Sequence, residues 1–299
     1  MYNQLEEGCG AFEFFQLEVF LHVVEHGSFT KAGDRIGLTQ SGVSHNITAL
    51  ETELGVTLLK RDRKGITLTT AGEQVIPHMR AIAANLAHIE QKIAAVNGME
   101  IGKITIGSFP SFTARFIPKL FSIFKEKYPN IDLLIHEGGY EEILKWIEEE
   151  TVDIGFAAKP VKNVEFIPLL NDPLSAVVYE GHPLSGKTVL NLEDFVDQPF
   201  IMLRSGCETL IEDRFLEAKI KPNISYDIKD NQTVLSMVAG KLGITIMPNL
   251  ALPEKPERIK SLPLNPELSR EIGLVMKSAK HLSPVAKEFT KVVQDHFIG

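Results

Sequence analysis

The sequence predicts three parts in series: an all-α headpiece carrying a two-stranded wing, one long helix, and an α/β domain of two lobes. Three observations predict this. Between Ser28 and Gly55 two short amphipathic stretches flank a tight turn. From Val75 to Val96 apolar residues recur at alternating steps of four and three. From Ile101 onward, short apolar strands alternate with amphipathic helices.

In the first part Ser28 suits a helix N-cap, with Ala32, Ile36 and Leu38 facing inward. Gly37 stands where the helix must stop at positive φ. Thr39 is the second N-cap, opening a helix over Gln40 to Glu53. Val43, Ile47, Leu50 and Leu54 form its buried stripe. Gln40, Ser41, Ser44, His45 and Thr48 fall on the opposite face, with no acid before Glu51. Amides and hydroxyls on an exposed helical face match the donors and acceptors of base edges in a DNA major groove. An ordinary helical hairpin with a polar face has the same spacing. The residues that follow favour DNA: Lys60, Arg61, Arg63 and Lys64 surround one acid, Asp62, and Gly65 turns the chain into an Ile66–Thr69 strand. Such a basic hairpin grips phosphate or enters the minor groove.

FLHVVEHGSFTKAGDRIGLTQSGVSHNITALETELGVTLLKR, followed by LTTAGE, resembles the LysR-type transcriptional regulators, and the likeness runs from about Phe14 to the C-terminus. It implies a winged helix-turn-helix DNA-binding domain at residues 13–70, with Ser28 and Thr30 joining Gln40, Ser41, Ser44, His45, Thr48, Lys60, Arg61, Arg63 and Lys64 as DNA contacts. It also implies a linker helix at 71–98 and a periplasmic-binding-protein-like (type II) effector domain at 99–299. Many relatives carry Arg just after the Ser44 position; this chain has His45, so its base contacts differ from theirs.

Charge supports DNA binding only locally. The chain carries −8 overall, and residues 1–70 hold six basic against nine acidic side chains, whereas Lys60–Lys64 is a basic cluster. Modest attraction per headpiece calls for more than one headpiece. Val75, Met79, Ile82, Leu86, Ile89, Ile93 and Val96 form a coiled-coil seam of about three heptads, with Pro77 tolerated near the helix start. A helix docked on its own domain is the alternative, but the narrow stripe favours a partner helix. The family likeness implies a dimer, and a dimer of dimers beyond it.

In the third part KITIGSF, IDLLIHEGG and VDIGFAA alternate with helices to give a parallel βαβαβ lobe. A second set runs PFIML, ETLIEDRFLEAK, NISYDIKD, NQTVLSMVAGKLG, ITIMP. EIGLVMK and SPVAKEFTKVVQDHF close the chain. Lobe I is expected at 101–173 and 276–299, lobe II at 174–275, with crossings near Asp172–Ser175 and Gly273–Lys277. Ligands of open α/β sheets sit beyond strand carboxyl ends, against helix N-termini. Here those ends carry Ser108, Ser111 and Thr113 in lobe I, and Arg204, Ser205, Cys207, Asn231 and Gln232 in lobe II. Each hydroxyl also suits simple capping; as converging loops they predict a cleft for a small anion, with Arg204 able to add a carboxylate contact if it turns inward. The family likeness places effector binding at the Ser111–Thr113 and Ser205–Cys207 segments. Gly138-Gly139 lacks a hydroxyl that some relatives carry, so the ligand class does not transfer.

One branch of the family senses peroxide through a cysteine in the Cys207 loop, which makes redox sensing an alternative. Yet Cys9 lies in another domain, and a lone cysteine is usually a packing residue. No catalytic, nucleotide-binding or Cys/His metal-ligand pattern is present, so no enzyme, metal or cofactor is expected. A solute-binding protein or enzyme of the same two-lobe fold has no use for residues 28–70. The N-terminus, with Glu6 and Glu7 and no Lys or Arg, does not resemble a secretory signal, and residues 1–12 read as an extension. The expected protein is cytoplasmic and away from the membrane. Its partners are an operator duplex, a small effector and itself, and the family likeness adds RNA polymerase.

Overall fold

The computed structural model describes residues 12–62, 65–96 and 101–298, and all but a few side chains within them. The expectations for the 1–12 extension, for Cys9, Arg63 and Lys64, and for the side chains of Arg61 and Val96 lie outside the described residues. The chain divides into two compact units: Met1–Gly98 with Glu149–Thr151, and Met99–Glu148 with Val152–Gly299.

The first unit opens with α1 (Phe14–His26), α2 (Phe29–Ile36) and α3 (Gln40–Leu54). The predicted caps form. Ser28 Oγ accepts from Lys31 N, and Thr39 Oγ1 accepts from Gly42 N at 3.1 Å. Gly37 ends α2 at φ 73°, a conformation an L side chain rarely adopts. Leu17, Phe20 and Val23 of α1 pack with Ala32 of α2 and Val43, Ile47 and Leu50 of α3. The wing is β1 (Leu59–Asp62) paired antiparallel with β2 (Gly65–Leu68). Glu51 holds its root: one carboxylate oxygen accepts from Leu58 N at 2.7 Å and from Leu59 N at 3.0 Å.

Helix α4 (Thr70–Val96) carries the predicted seam, but its two ends differ. Met79 is only 2% exposed in the headpiece core, and Val75 packs against that core. The docked alternative therefore holds for the first two positions. Beyond them Ile82, Ile89 and Ile93 are exposed, Ile89 by 53%, and Leu86 is half-buried.

In the second unit β3 (Gly102–Ser108), α5 (Pro110–Lys127), β4 (Ile131–Glu137), α6 (Tyr140–Glu148) and β5 (Ile154–Ala158) build lobe I as predicted. Strand β3 pairs in parallel with both β4 and β5. The next strand, β6 (Glu165–Tyr179), was not anticipated. Pro168, Asn171, Asp172 and Pro173 look like turn signals in sequence. Instead the strand spans both lobes. Lobe II adds β7 (Leu190–Asn191), β8 (Pro199–Leu203), α7 (Glu208–Glu217), β9 (Asn223–Ile228), α8 (Asn231–Ala239), β10 (Thr245–Pro248) and β11 (Ile259–Asn265). Leu174–Val177 of β6 pair with β10, and β11 pairs along Ser175–Tyr179. Strand β12 (Ser269–Met276) returns to lobe I, and α9 (Pro284–Phe297) buries Val285, Ala286, Phe289 and Val293 in that lobe's core.

Strand β6 passes from β12 to β10 at Pro173–Leu174. The return crossing does not lie at Gly273–Lys277. Ile272–Val275 already pair with β5 in lobe I, while Ser269 and Arg270 stand opposite Pro173 and Asp172. The lobe boundary therefore falls near Arg270 rather than at 275–276. Hydropathy alone does not distinguish a strand that crosses from one that has arrived. The two crossing strands run side by side, and Asp172 and Arg270 are partners in their register.

Candidate functional site

In the headpiece, α3 presents Gln40, Ser41, His45 and Thr48 to solvent, with Ser44 half-buried. Some hydroxyls are partly engaged: Ser41 Oγ lies 3.0 Å from Thr39 Oγ1, and Thr48 Oγ1 donates to Ser44 O at 2.9 Å. Ser28 serves as the α2 cap, while Thr30 and Lys60 are exposed. An exposed α3 face of short polar groups beside the wing has the form of a groove-reading helix.

In the effector domain the lobes meet at a side chain absent from the sequence expectation. Arg270 is 3% exposed, and all five of its N–H groups have partners. Nε and Nη2 donate to Asp172 Oδ2 at 2.9 and 2.7 Å. Nη2 also donates to Ser111 Oγ at 3.0 Å; Nη1 donates to Cys207 Sγ at 3.2 Å and to Tyr140 Oη. The guanidinium carbon stands 5.0 Å from the centre of the Phe109 ring. Ser111, Phe109 and Tyr140 belong to lobe I and Cys207 to lobe II, so one cation on a crossing strand ties both lobes.

The electrostatics follow from burial. Burial works against the Arg270 charge, but Cys207, Tyr140 and Asp172 more than offset it and hold the guanidinium protonated. At neutral pH the charged member of that set is Asp172. Burial raises the Asp172 carboxyl above its usual value while Arg270 opposes. Asp172, 2% exposed, also accepts from Leu250 N at 3.1 Å. Burial pushes the Tyr140 phenol well up and the Cys207 thiol up as well. Cys207, 1% exposed, is thus a protonated packing thiol, which speaks against a thiolate sensor.

The predicted effector residues separate into two groups. Ser108 and Ser111 are buried at the start of α5, and Thr113 Oγ1 donates to Ser108 Oγ at 2.9 Å and toward Phe109 O at 3.1 Å. Thr113 therefore serves its own helix, while Ser111 faces Arg270. Gly206 brings the Ser205–Cys207 loop close to lobe I: at φ 105°, an added Cβ would meet the Tyr140 ring at 2.9 Å. Arg204 does not turn inward. Its Nε donates to Asp227 at 2.7 Å and its Nη1 to Glu212 at 2.6 Å. At α8, Asp230 caps Thr233 N at 2.7 Å, Gln232 is exposed, and Asn231 Oδ1 is buried with no partner. Arg270 and Asp172 escaped sequence reasoning because an isolated Arg in a short strand carries no periodic signal. The one available hint was the charged residue just before the apolar run of β12.

Residues 14–73 match the model described as "Bacterial regulatory helix-turn-helix protein, lysR family", and residues 97–298 match "LysR substrate binding domain". The chain belongs to the LysR family. The Bacillus subtilis "Uncharacterized HTH-type transcriptional regulator YvbU" is 35% identical over 94% of this chain and 98% of its own length. Among solved structures, full-length CbnR complexed with its target DNA shares 22% identity at a TM-score of 0.64, covering 95% of this chain and 99% of that one. The effector-binding domain of QuiR in complex with shikimate is 26% identical at a TM-score of 0.60, covering 66% of this chain and 97% of that one. As a LysR-family member this protein is a ligand-responsive transcriptional regulator. It binds DNA through the headpiece and takes a small molecule in the C-terminal domain.

Proposed function

We propose that the effector is a small anion seated between the lobes at the start of α5, next to Ser111 and Arg270. One observation carries this reading. At the cleft, α8 is capped by Asp230, and α7 begins with Glu208, whose carboxylate accepts from Gly206 N at 2.7 Å. The α5 start has no acid in its first turn and no side-chain cap, and it adjoins a buried guanidinium. Pro110 has no N–H and Phe112 N donates to Phe109 O at 3.0 Å, so the Ser111 N–H, the positive end of the helix dipole and the cation are what favour a carboxylate or phosphate. The shikimate held by the QuiR domain is an organic acid, in keeping with that class.

The headpiece contacts follow the exposed face of α3, with Lys60, Arg61, Arg63 and Lys64 on phosphate. Ile82, Leu86, Ile89 and Ile93 form the dimer seam, while Val75 and Met79 serve the headpiece. The protein acts in the cytoplasm, catalyses no reaction and works as a dimer or dimer of dimers. Among the described residues no helix is long and apolar enough to cross a membrane.

A thermal-shift panel of small carboxylates, phosphates, amines and neutral metabolites on the full chain tests the site. Anions should raise the transition of the wild type. Ser111→Ala with Thr113→Val should lose that shift while binding duplex DNA as before. A shift that persists in the double variant, or that only amines produce, refutes the seat.

A further inference from the structure

Helix α1 ends in the run His22-Val23-Val24-Glu25-His26, which the regulator function does not use. One turn of helix brings residues 22, 25 and 26 to a common face. The structure bears this out. The His22 and His26 rings stack nearly parallel, 6° between planes and 6.1 Å between centroids. His22 Nδ1 lies 3.6 Å from Glu25 Oε2. One ligand atom from each of the three side chains falls within 4.8 Å of the other two. His22 Nδ1 is shielded from solvent and has no hydrogen-bond partner. A shielded ring nitrogen without a hydrogen-bond partner is costly to leave so, and a cation between it and the Glu25 carboxylate supplies what it lacks.

We propose that His22, Glu25 and His26 form a transition-metal site of the zinc class, closed by water at the fourth position. Two imidazoles and one carboxylate with an open position are a known zinc donor set. Tetrahedral zinc at about 2.0–2.1 Å from each ligand spaces the ligand atoms about 3.4 Å apart. Contraction to that spacing is a rotamer adjustment, since Glu25 is exposed and both histidines are half-buried. The position also suits a cation: these residues are the last turn of α1, whose free carbonyls carry partial negative charge. Calcium and magnesium prefer all-oxygen sites, so two imidazoles select against them.

The site has a place in the headpiece. Gly27 caps α1 at φ 60°, and its carbonyl accepts from Ile66 N of β2 at 3.3 Å. An ion spanning residues 22 to 26 braces the turn on which the wing rests.

The test uses the full chain, stripped with chelator, loaded with Zn2+ or Co2+ and desalted. The chain has nine histidines, so stoichiometry alone does not locate the ion. Wild type should retain about one equivalent of metal per chain. Co2+ should show visible ligand-field bands of a nitrogen and oxygen site, without the near-ultraviolet thiolate band that Cys9 or Cys207 would give. His22→Gln with His26→Gln should lose the metal, and Glu25→Gln, an exposed change that leaves the fold alone, should weaken retention at least tenfold. Wild type that keeps no metal overturns the proposal. So does a thiolate band, or a Glu25→Gln variant that binds as tightly as wild type.

Discussion

Asp172→Asn removes the negative member of the buried pair while keeping the side chain's shape. In the native fold Arg270 gives Asp172 two charge-assisted hydrogen bonds, and both residues are almost wholly enclosed. The amide retains one acceptor, so geometry is largely kept, but the guanidinium is left as an uncompensated buried charge. Breaking such a pair from one side costs about 3–5 kcal/mol, and the remaining acceptor points to the lower end, about 3 kcal/mol. For a domain of this size each kcal/mol moves the midpoint by about 2–4 °C, giving a loss of roughly 6–12 °C. Trp146, the chain's single tryptophan, lies on α6 in lobe I and reports this transition without a signal from the headpiece. Arg270→Met combined with Asp172→Leu should recover most of the loss, because an apolar pair needs no compensation. If Asp172→Asn unfolds within about 1 kcal/mol of wild type, Arg270 does not depend on Asp172 for its burial. The picture of a charge clamp at the crossing then fails.

Leu86→Asp places a carboxylate in the middle of the exposed apolar stripe, between Ile82 and Ile89, and should abolish the dimer in sedimentation while the Trp146 transition stays put; wild-type mass would show that α4 pairs with nothing. His182 Nδ1 accepts from Leu184 N at 3.1 Å, so its proton sits on Nε2 toward Gln198, and burial lowers its pKa while Gln198 opposes. The folded state then resists protonation, so the stability is fully present above the ordinary value of about 6.5 and is lost as pH falls below it. His182→Asn, which can still accept from Leu184 N, should flatten the drop in urea midpoint between about pH 7.5 and about pH 5.5; an unchanged slope refutes the assignment.

What the sequence made legible was whatever repeats. The stripe of α3, the caps at Ser28 and Thr39, and the alternation of lobe I all follow from periodicity and turn chemistry, and each was found in place. The seam of α4 was legible as a stripe but not as two stripes, because Met79 in a headpiece core and Ile89 in solvent obey the same spacing. Strand β6 was hidden by Pro168 and Pro173, which ordinarily end strands. It survives them through an irregular register: Ile272 faces Leu170 but Gly273 faces Pro168, which leaves Leu169 as an extra residue. The cleft was legible only as its hydroxyls. Its charge came from two residues 98 positions apart, a pairing set by tertiary structure alone.

That pairing bears on how a ligand is felt. A ligand shifts a conformational balance only by its difference in affinity between the two states. The lobes are joined by two adjacent strands, and the residues paired at their crossing, Asp172 and Arg270, are also the charged groups beside the proposed seat. Ser111 and Tyr140 hold Arg270 from lobe I, and Cys207 holds it from lobe II. An anion at the proposed α5 seat would either share the guanidinium with Asp172 or draw it away. Both outcomes change the contacts of Arg270 with the two lobes at once. Allosteric coupling typically amounts to about 1–3 kcal/mol, comparable to one charge-assisted hydrogen bond gained or lost. On the proposed seat, the exchange of a single Arg270 contact is therefore of the size that coupling between the lobes calls for.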